Sequence, residues 1–142
     1  MKTDNRSNGG RFEQEMSKRL ADAGFWCHVL QQNKAGQPAD IIAVKGALHT
    51  LIDCKVISDD RGFPLKRIEE NQRHAMAAFS RKAKENCWFA MRLPDGSVWM
   101  VSFSRLMLAE AHGKKRITEN EIREKWPLDE WLKAATTWSE VS

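Results

Sequence analysis

The stretch Asp40-Ile-Ile-Ala-Val-Lys45-Gly46-Ala-Leu-His-Thr50-Leu-Ile-Asp53-Cys-Lys55-Val56 decides the fold. Asp40 to Lys45 and Thr50 to Val56 are rich in β-formers, and Gly46 lies in a connection short enough for a hairpin, so the two runs are expected to be antiparallel neighbours. Side chains alternate along a strand, which puts Asp53 and Lys55 on one face and turns Cys54 to the other. The apolar residues around them mark a central strand, where a charge is costly unless paired or bound to a metal. Taken alone, Asp-x-Lys is a common tripeptide and most often a simple ion pair.

Working outward, Phe12, Met16, Leu20 and Ala23 recur at helical spacing and Gly24 supplies a stop, which predicts a first helix. Phe25 to Leu30 reads as a short strand, and Gln31 to Pro38 as a polar loop. Ser58 to Pro64 reads as a charged loop and Leu65 to Asn86 as a second long helix, with Ile68, Ala75, Met76 and Phe79 on its apolar face. Cys87 to Leu93 and Ser97 to Phe103 flank Pro94-Asp95-Gly96, which presets a tight turn and predicts a second hairpin. The order helix, three strands, helix, two strands gives an α/β fold with a mixed sheet flanked by helices. It lacks the alternation of a doubly wound nucleotide fold.

With 142 residues, 42% hydrophobic and 30% charged, the chain fits one globular domain. Residues 1–10 read as a flexible N-terminus, 11–112 as the core, and 113–142 as a helical extension in which Trp126, Trp131 and Trp138 are expected to cap that core. The polar start and the lack of a long apolar run point to an intracellular protein. Cys27, Cys54 and Cys87 are odd in number and widely spaced, which suits buried free thiols, and no histidine pairs with them at zinc-ligand spacing. There is no phosphate-binding glycine loop and no G-x-S-x-G elbow.

The net charge of +4 permits a polyanionic partner without requiring one. It is concentrated after Lys55: between Arg61 and Lys84 there are seven Lys or Arg against two Glu. Lys66, Arg67, Arg73, Arg81 and Lys82 are candidates for touching DNA phosphates, and the Lys114-Lys115-Arg116 cluster is a further one. Asp40 opens its strand after a Pro and Gly loop, so the hairpin brings two carboxylates to one end of the sheet. Two such groups with Lys55 as their one fixed basic neighbour repel, and a divalent cation is the usual remedy. Glu13, next to the core-facing Phe12, is placed to lean over the same pocket. Glu15 is its rival, and His74 reads as structural or exposed.

At these residues the chain resembles the PD-(D/E)xK nuclease superfamily and, within it, Holliday junction resolvases of the RecU and archaeal Hjc types. The resemblance is carried by Gly10-Arg-Phe-Glu13 with Gly24-Phe25, by Pro38-Ala-Asp40, by Asp53-Cys-Lys55, and by Gly62-Phe-Pro-Leu-Lys66 leading to Glu70-Asn-Gln72. It spans roughly residues 10–103. It implies a restriction-endonuclease-like fold and a Mg²⁺-dependent endonuclease, with Mn²⁺ as a substitute, acting on branched DNA as a homodimer. Asp40, Asp53 and the Cys54 backbone carbonyl are then metal ligands, and Glu13 is an outer or second-metal carboxylate. Lys55 orients the attacking water, and Gln72 steadies the site. The pattern differs from the family's in having Pro two residues before Asp40 and Asp, not Glu, at position 53. The long stalk insertion of the RecU type is absent, with Gln31 to Ala39 filling that gap. A bacterial or phage-encoded cytoplasmic enzyme is the expected setting. The rival readings are a non-catalytic nucleic-acid-binding module on the same fold and an enzyme for a small anionic substrate.

Overall fold

The computed structural model describes residues 5–31, 36–83 and 86–140, without the side chains of residues 5–9, 82 and 83. Helix α1 (Asn5–Asp22) leads into strands β1 (Trp26–Val29), β2 (Ile41–Lys45) and β3 (Leu48–Val56). A two-residue strand β4 (Phe63–Pro64) and a single 3₁₀ turn (Leu65–Arg67) precede helix α2 (Glu70–Ala83). Strands β5 (Cys87–Arg92) and β6 (Val98–Ser102) then lead to α3 (Phe103–Ala111), β7 (Arg116–Ile117), α4 (Glu119–Ile122) and α5 (Leu128–Ser139). The main sheet has five strands in the order β1-β2-β3-β5-β6. Both expected hairpins form, since β2 pairs antiparallel with β3 and β5 with β6. The β3–β5 pair is parallel, as a crossover through α2 requires.

Alternation along the strands builds two cores. Ile41, Ala43, Ile52, Trp88, Ala90 and Met100 face Phe12, Met16 and Leu20 of α1 and Leu128, Trp131 and Ala135 of α5. On the opposite face Leu51, Phe89, Met91 and Val101 pack with Met76 of α2 and Leu106 of α3. Asp53 shares that second face with Leu51, so α2 covers it and leaves it 1% exposed. Trp131 is fully buried, with Phe25 stacked on it at 6.0 Å and the rings of Trp88 and Trp138 edge-on at 5.7 and 6.1 Å.

The structure departs from the sequence expectation in three places. Helix α1 starts at Asn5, ahead of the first apolar position Phe12 and within the stretch expected to be an N-terminal tail. The expected helix from Leu65 is broken: Ile68 is extended (φ −79°, ψ 115°), and α2 begins only at Glu70. Tertiary bonds compete with the helix there, because the Leu65 N–H donates to the Lys115 carbonyl at 2.9 Å and the Arg67 carbonyl accepts from Lys55 at 3.4 Å. The third is a small second sheet, β4 antiparallel to β7, where a charged loop was expected. Of the cysteines, all free, Cys87 is buried while Cys27 and Cys54 are only partly so, because Cys27 lies on the edge strand β1 and Cys54 near the open end of β3.

Candidate active site

The carboxylates meet where β2 begins and its ladder with β3 stops. Ile41 pairs with Ile52, so Asp40 lies just before the first pair of the ladder, beside the Ile52–Cys54 stretch of β3. The Asp40 N–H donates to the Ile52 carbonyl at 3.1 Å. Two residues along β3, the Cys54 N–H points the same way, past the end of β2, and donates to Asp40 Oδ2 at 2.7 Å. An extended residue turns its N–H and C=O to one side of the strand, so the Cys54 carbonyl shares this edge with Asp40.

Asp53 is held from two directions. Gln72 Nε2, reaching in from α2, donates to its Oδ1 at 2.7 Å. Lys55 Nζ lies 3.1 Å from its Oδ2, so the two side chains share a face. That contact is close enough for ion pairing, yet it is not aligned as a hydrogen bond, and Oδ2 is buried without a donor in line among the described residues. Burial raises the Asp53 pKa first and the neighbouring Asp40 raises it further, while Lys55 pulls the other way, leaving it at about 7. Asp40 is also raised, by burial first, against the pull of the Cys54 N–H.

Glu13 completes the acidic cluster. It lies against Asp40, and burial together with the Asp53 charge raises its pKa. Its rival Glu15 is turned away into an ion pair with Arg92. Glu13, Asp40, Asp53, Lys55, Gln72 and the Cys54 backbone thus line one cleft of about 140 Å³. Sequence reasoning missed Asn71, whose Nδ2 donates to the Gln37 carbonyl at 3.0 Å and ties the loop before Asp40 to α2. Its signal was its place beside Gln72 at the start of a helix crossing this end of the sheet.

The donors suit a hard divalent cation: clustered oxygens, one of them buried without an aligned donor, and a repulsion that a cation relieves. Among the described residues no three His, Cys, Asp or Glu side chains form a ready ligand set. An ion here would therefore rest on Asp40, Asp53, the Cys54 carbonyl and water, the low protein ligand count that Mg²⁺ tolerates.

The basic residues divide. Lys66 and Arg81 are exposed, and the Lys82 side chain lies outside the described residues. The Arg73 guanidinium is taken up by Glu110 and, at 3.2 Å, by the Leu65 carbonyl. Arg67 sits beside the cleft, donating to the Val56 carbonyl at 3.2 Å with its guanidinium 5.4 Å from the centre of the Phe63 ring. His74 is exposed beside Glu70, away from the cleft that the carboxylates line. Among the described residues no helix is long and apolar enough to cross a membrane.

A fold comparison pairs the structure with the 1.6 Å structure of Archaeoglobus fulgidus Hjc, a Holliday junction resolvase from an archaeal hyperthermophile. The TM-score is 0.66 at 18% identity, over 88% of this chain and 98% of that one. A search of curated protein sequences finds no match. The family model for archaeal Holliday junction resolvase (Hjc) matches residues 4–138, and its archaeal description lends no support to a bacterial or phage origin. A match over nearly the whole length, on a sheet that brings the expected acids and lysine together, means that the chain belongs to the archaeal Holliday junction resolvase (Hjc) family.

Proposed function

We propose that the protein is a metal-dependent endodeoxyribonuclease that cuts branched DNA, a Holliday junction resolvase in activity as well as in family. The observation that carries this is the convergence of Glu13, Asp40 and Asp53 on one cleft, with Lys55 3.1 Å from Asp53. Asp40, Asp53 and the Cys54 carbonyl would hold Mg²⁺, with Glu13 as a supporting carboxylate. When bound, the ion polarises the phosphate and makes hydroxide accessible near neutral pH.

The chain's own groups do the rest. Lys55, anchored between Asp53 and the Arg67 carbonyl, orients the attacking water and offsets charge on the phosphate. Gln72 keeps Asp53 Oδ1 aimed at the cleft. Water adds at phosphorus as one bridging P–O bond breaks, with no covalent enzyme intermediate. Two strands must be cut and one chain supplies one such cleft, so the working unit is a homodimer.

The test is a panel of four-way junction, flap, duplex and single-stranded DNA, incubated with Mg²⁺ or with EDTA. Paired, symmetric nicks across the junction, dependent on Mg²⁺ and lost in Asp53→Asn, are expected. DNA binding with no metal-dependent cleavage of any substrate would instead make this a binding module on a nuclease fold.

A further inference from the structure

A second concavity, about 500 Å³, opens directly beside the carboxylate cleft and shares Cys54 and Lys55 with it. Its charged lining is Lys55, Arg61, Arg67 and Arg116 against one acid, Asp59. That acid is already engaged by Arg61 at 2.9 Å. Five other arginines are already committed, and Arg11 and Arg81, which pair with no carboxylate among the described residues, lie outside this groove. Arg19, Arg73, Arg92, Arg105 and Arg123 each sit on a carboxylate. Arg67 and Arg116 pair with no carboxylate among the described residues, and both face this groove.

The second sheet exists where it can aim Arg116. Pro64 of β4 pairs with Arg116 of β7, and the Leu65 N–H donates to the Lys115 carbonyl at 2.9 Å. On the other side the 58–62 loop presses against β7 at Gly62 (φ +92°), where a Cβ would stand 2.1 Å from the Ile117 carbonyl oxygen. Arg67 is fixed as well, by the Val56 carbonyl and the Phe63 ring. The Arg67 guanidinium and the backbone that carries Arg116 are thus preset at one side of the reacting centre before any ligand arrives, and a planar donor fork suits a phosphate. The volume lies in the range of pockets that hold a drug-sized ligand, room for a sugar–phosphate unit.

We propose that this groove is a second phosphate subsite, in which Arg116 and Arg67 grip the backbone phosphate adjacent to the one being cut. The inference rests on the endonuclease reading and adds to it the path of the cleaved strand, past Lys55 and along the β4–β7 sheet.

The experiment measures affinity for a four-way junction in EDTA, where no cleavage intervenes, as a function of salt. Each phosphate contact contributes a slope of about −0.9 in log K against log salt. Arg116→Ala is expected to reduce the slope by about one and to weaken binding roughly eightfold at 0.1 M salt. Arg116→Lys, which keeps the charge, should recover the slope. Lys133→Ala, which removes a charge on α5 away from this groove, should match the wild type. An Arg116→Ala protein with unchanged circular dichroism and the salt slope of Lys133→Ala overturns the subsite while leaving the endonuclease reading intact. A wild type with no salt-dependent DNA binding overturns both.

Discussion

Gln72 joins Asp53 to the start of α2: its Nε2 donates to Asp53 Oδ1 at 2.7 Å, and its Oε1 accepts from the Glu69 N–H at 3.4 Å. The second bond is half of a capping box, in which the third residue of a helix reaches back to the residue before it. One amide therefore fixes both where the helix begins and how the buried carboxylate points. This helix start, at Glu70 and not at Leu65, is what brings α2 over the acids.

Replacing that amide tests the coupling. Gln72→Ala leaves Asp53 Oδ1 buried without its donor, and the loss of such a supporting group typically lowers metal affinity or activity by about 10- to 100-fold. Titration calorimetry with Mg²⁺ and junction cleavage should both show the loss. Gln72→Glu should destabilise the metal-free protein further, because it sets another acid against Asp53. An unchanged Mg²⁺ isotherm in Gln72→Ala would remove Gln72 from the site.

The acidic cluster also predicts a pH dependence. The native Asp53 pKa of about 7 lies above its ordinary value near 4, so the folded state binds more protons than the unfolded state between these limits. Stability in the absence of metal should be fullest below about pH 4, as far as this group is concerned, and fall as pH rises towards 7. Melting curves in EDTA at pH 5 and pH 8 should show that fall, on the order of a few kcal/mol. Asp53→Asn should flatten it, and millimolar Mg²⁺ at pH 8 should restore wild-type stability without helping the variant.

Lys55 makes a separable contribution. Lys55→Met preserves the stem and removes the charge, so under the proposed mechanism both carboxylates would still bind Mg²⁺ while the water would lose its orienting amine. Cleavage should fall by about 10²- to 10³-fold, the range for losing one positioned electrostatic donor. Near-normal cleavage by this variant would contradict the role given to Lys55.

In the core, Trp131 is the anchor of α5, fully buried among Phe25, Trp88 and Trp138. Trp131→Ala should cost about 3–5 kcal/mol in denaturant unfolding. Trp131→Phe should cost less, because it leaves a smaller cavity and the Nε1–H it removes is buried without a partner among the described residues. Equal losses for the two would show that the volume left empty does not set the cost.

Some of the site could be read from neighbouring residues alone. The alternation of Asp53, Cys54 and Lys55 and the short connection through Gly46 suffice to put an acid and an amine side by side near the end of a hairpin, and the structure has that pair at 3.1 Å. The turn at Pro94-Asp95-Gly96 is equally local, with the Ser97 N–H donating to Asp95 Oδ1 at 2.9 Å. By contrast, neighbouring residues leave Glu13 and Glu15 as rivals; the family resemblance favours Glu13, and in the structure Arg92, far along the chain, captures Glu15.

The sequence by itself determined the five strands of the main sheet, the two hairpins and the shared face of Asp53 and Lys55, because side-chain alternation and turn chemistry act over a few residues. The tertiary structure alone decided that α2 starts after Glu69, that Phe63-Pro64 pairs with Arg116-Ile117, and that Arg67 and Arg116 share a groove beside Lys55. Those outcomes depend on backbone groups of Leu65 and Arg67 finding partners distant in sequence, and a hydrogen bond to Lys115 leaves no trace in the local periodicity that would otherwise extend the helix.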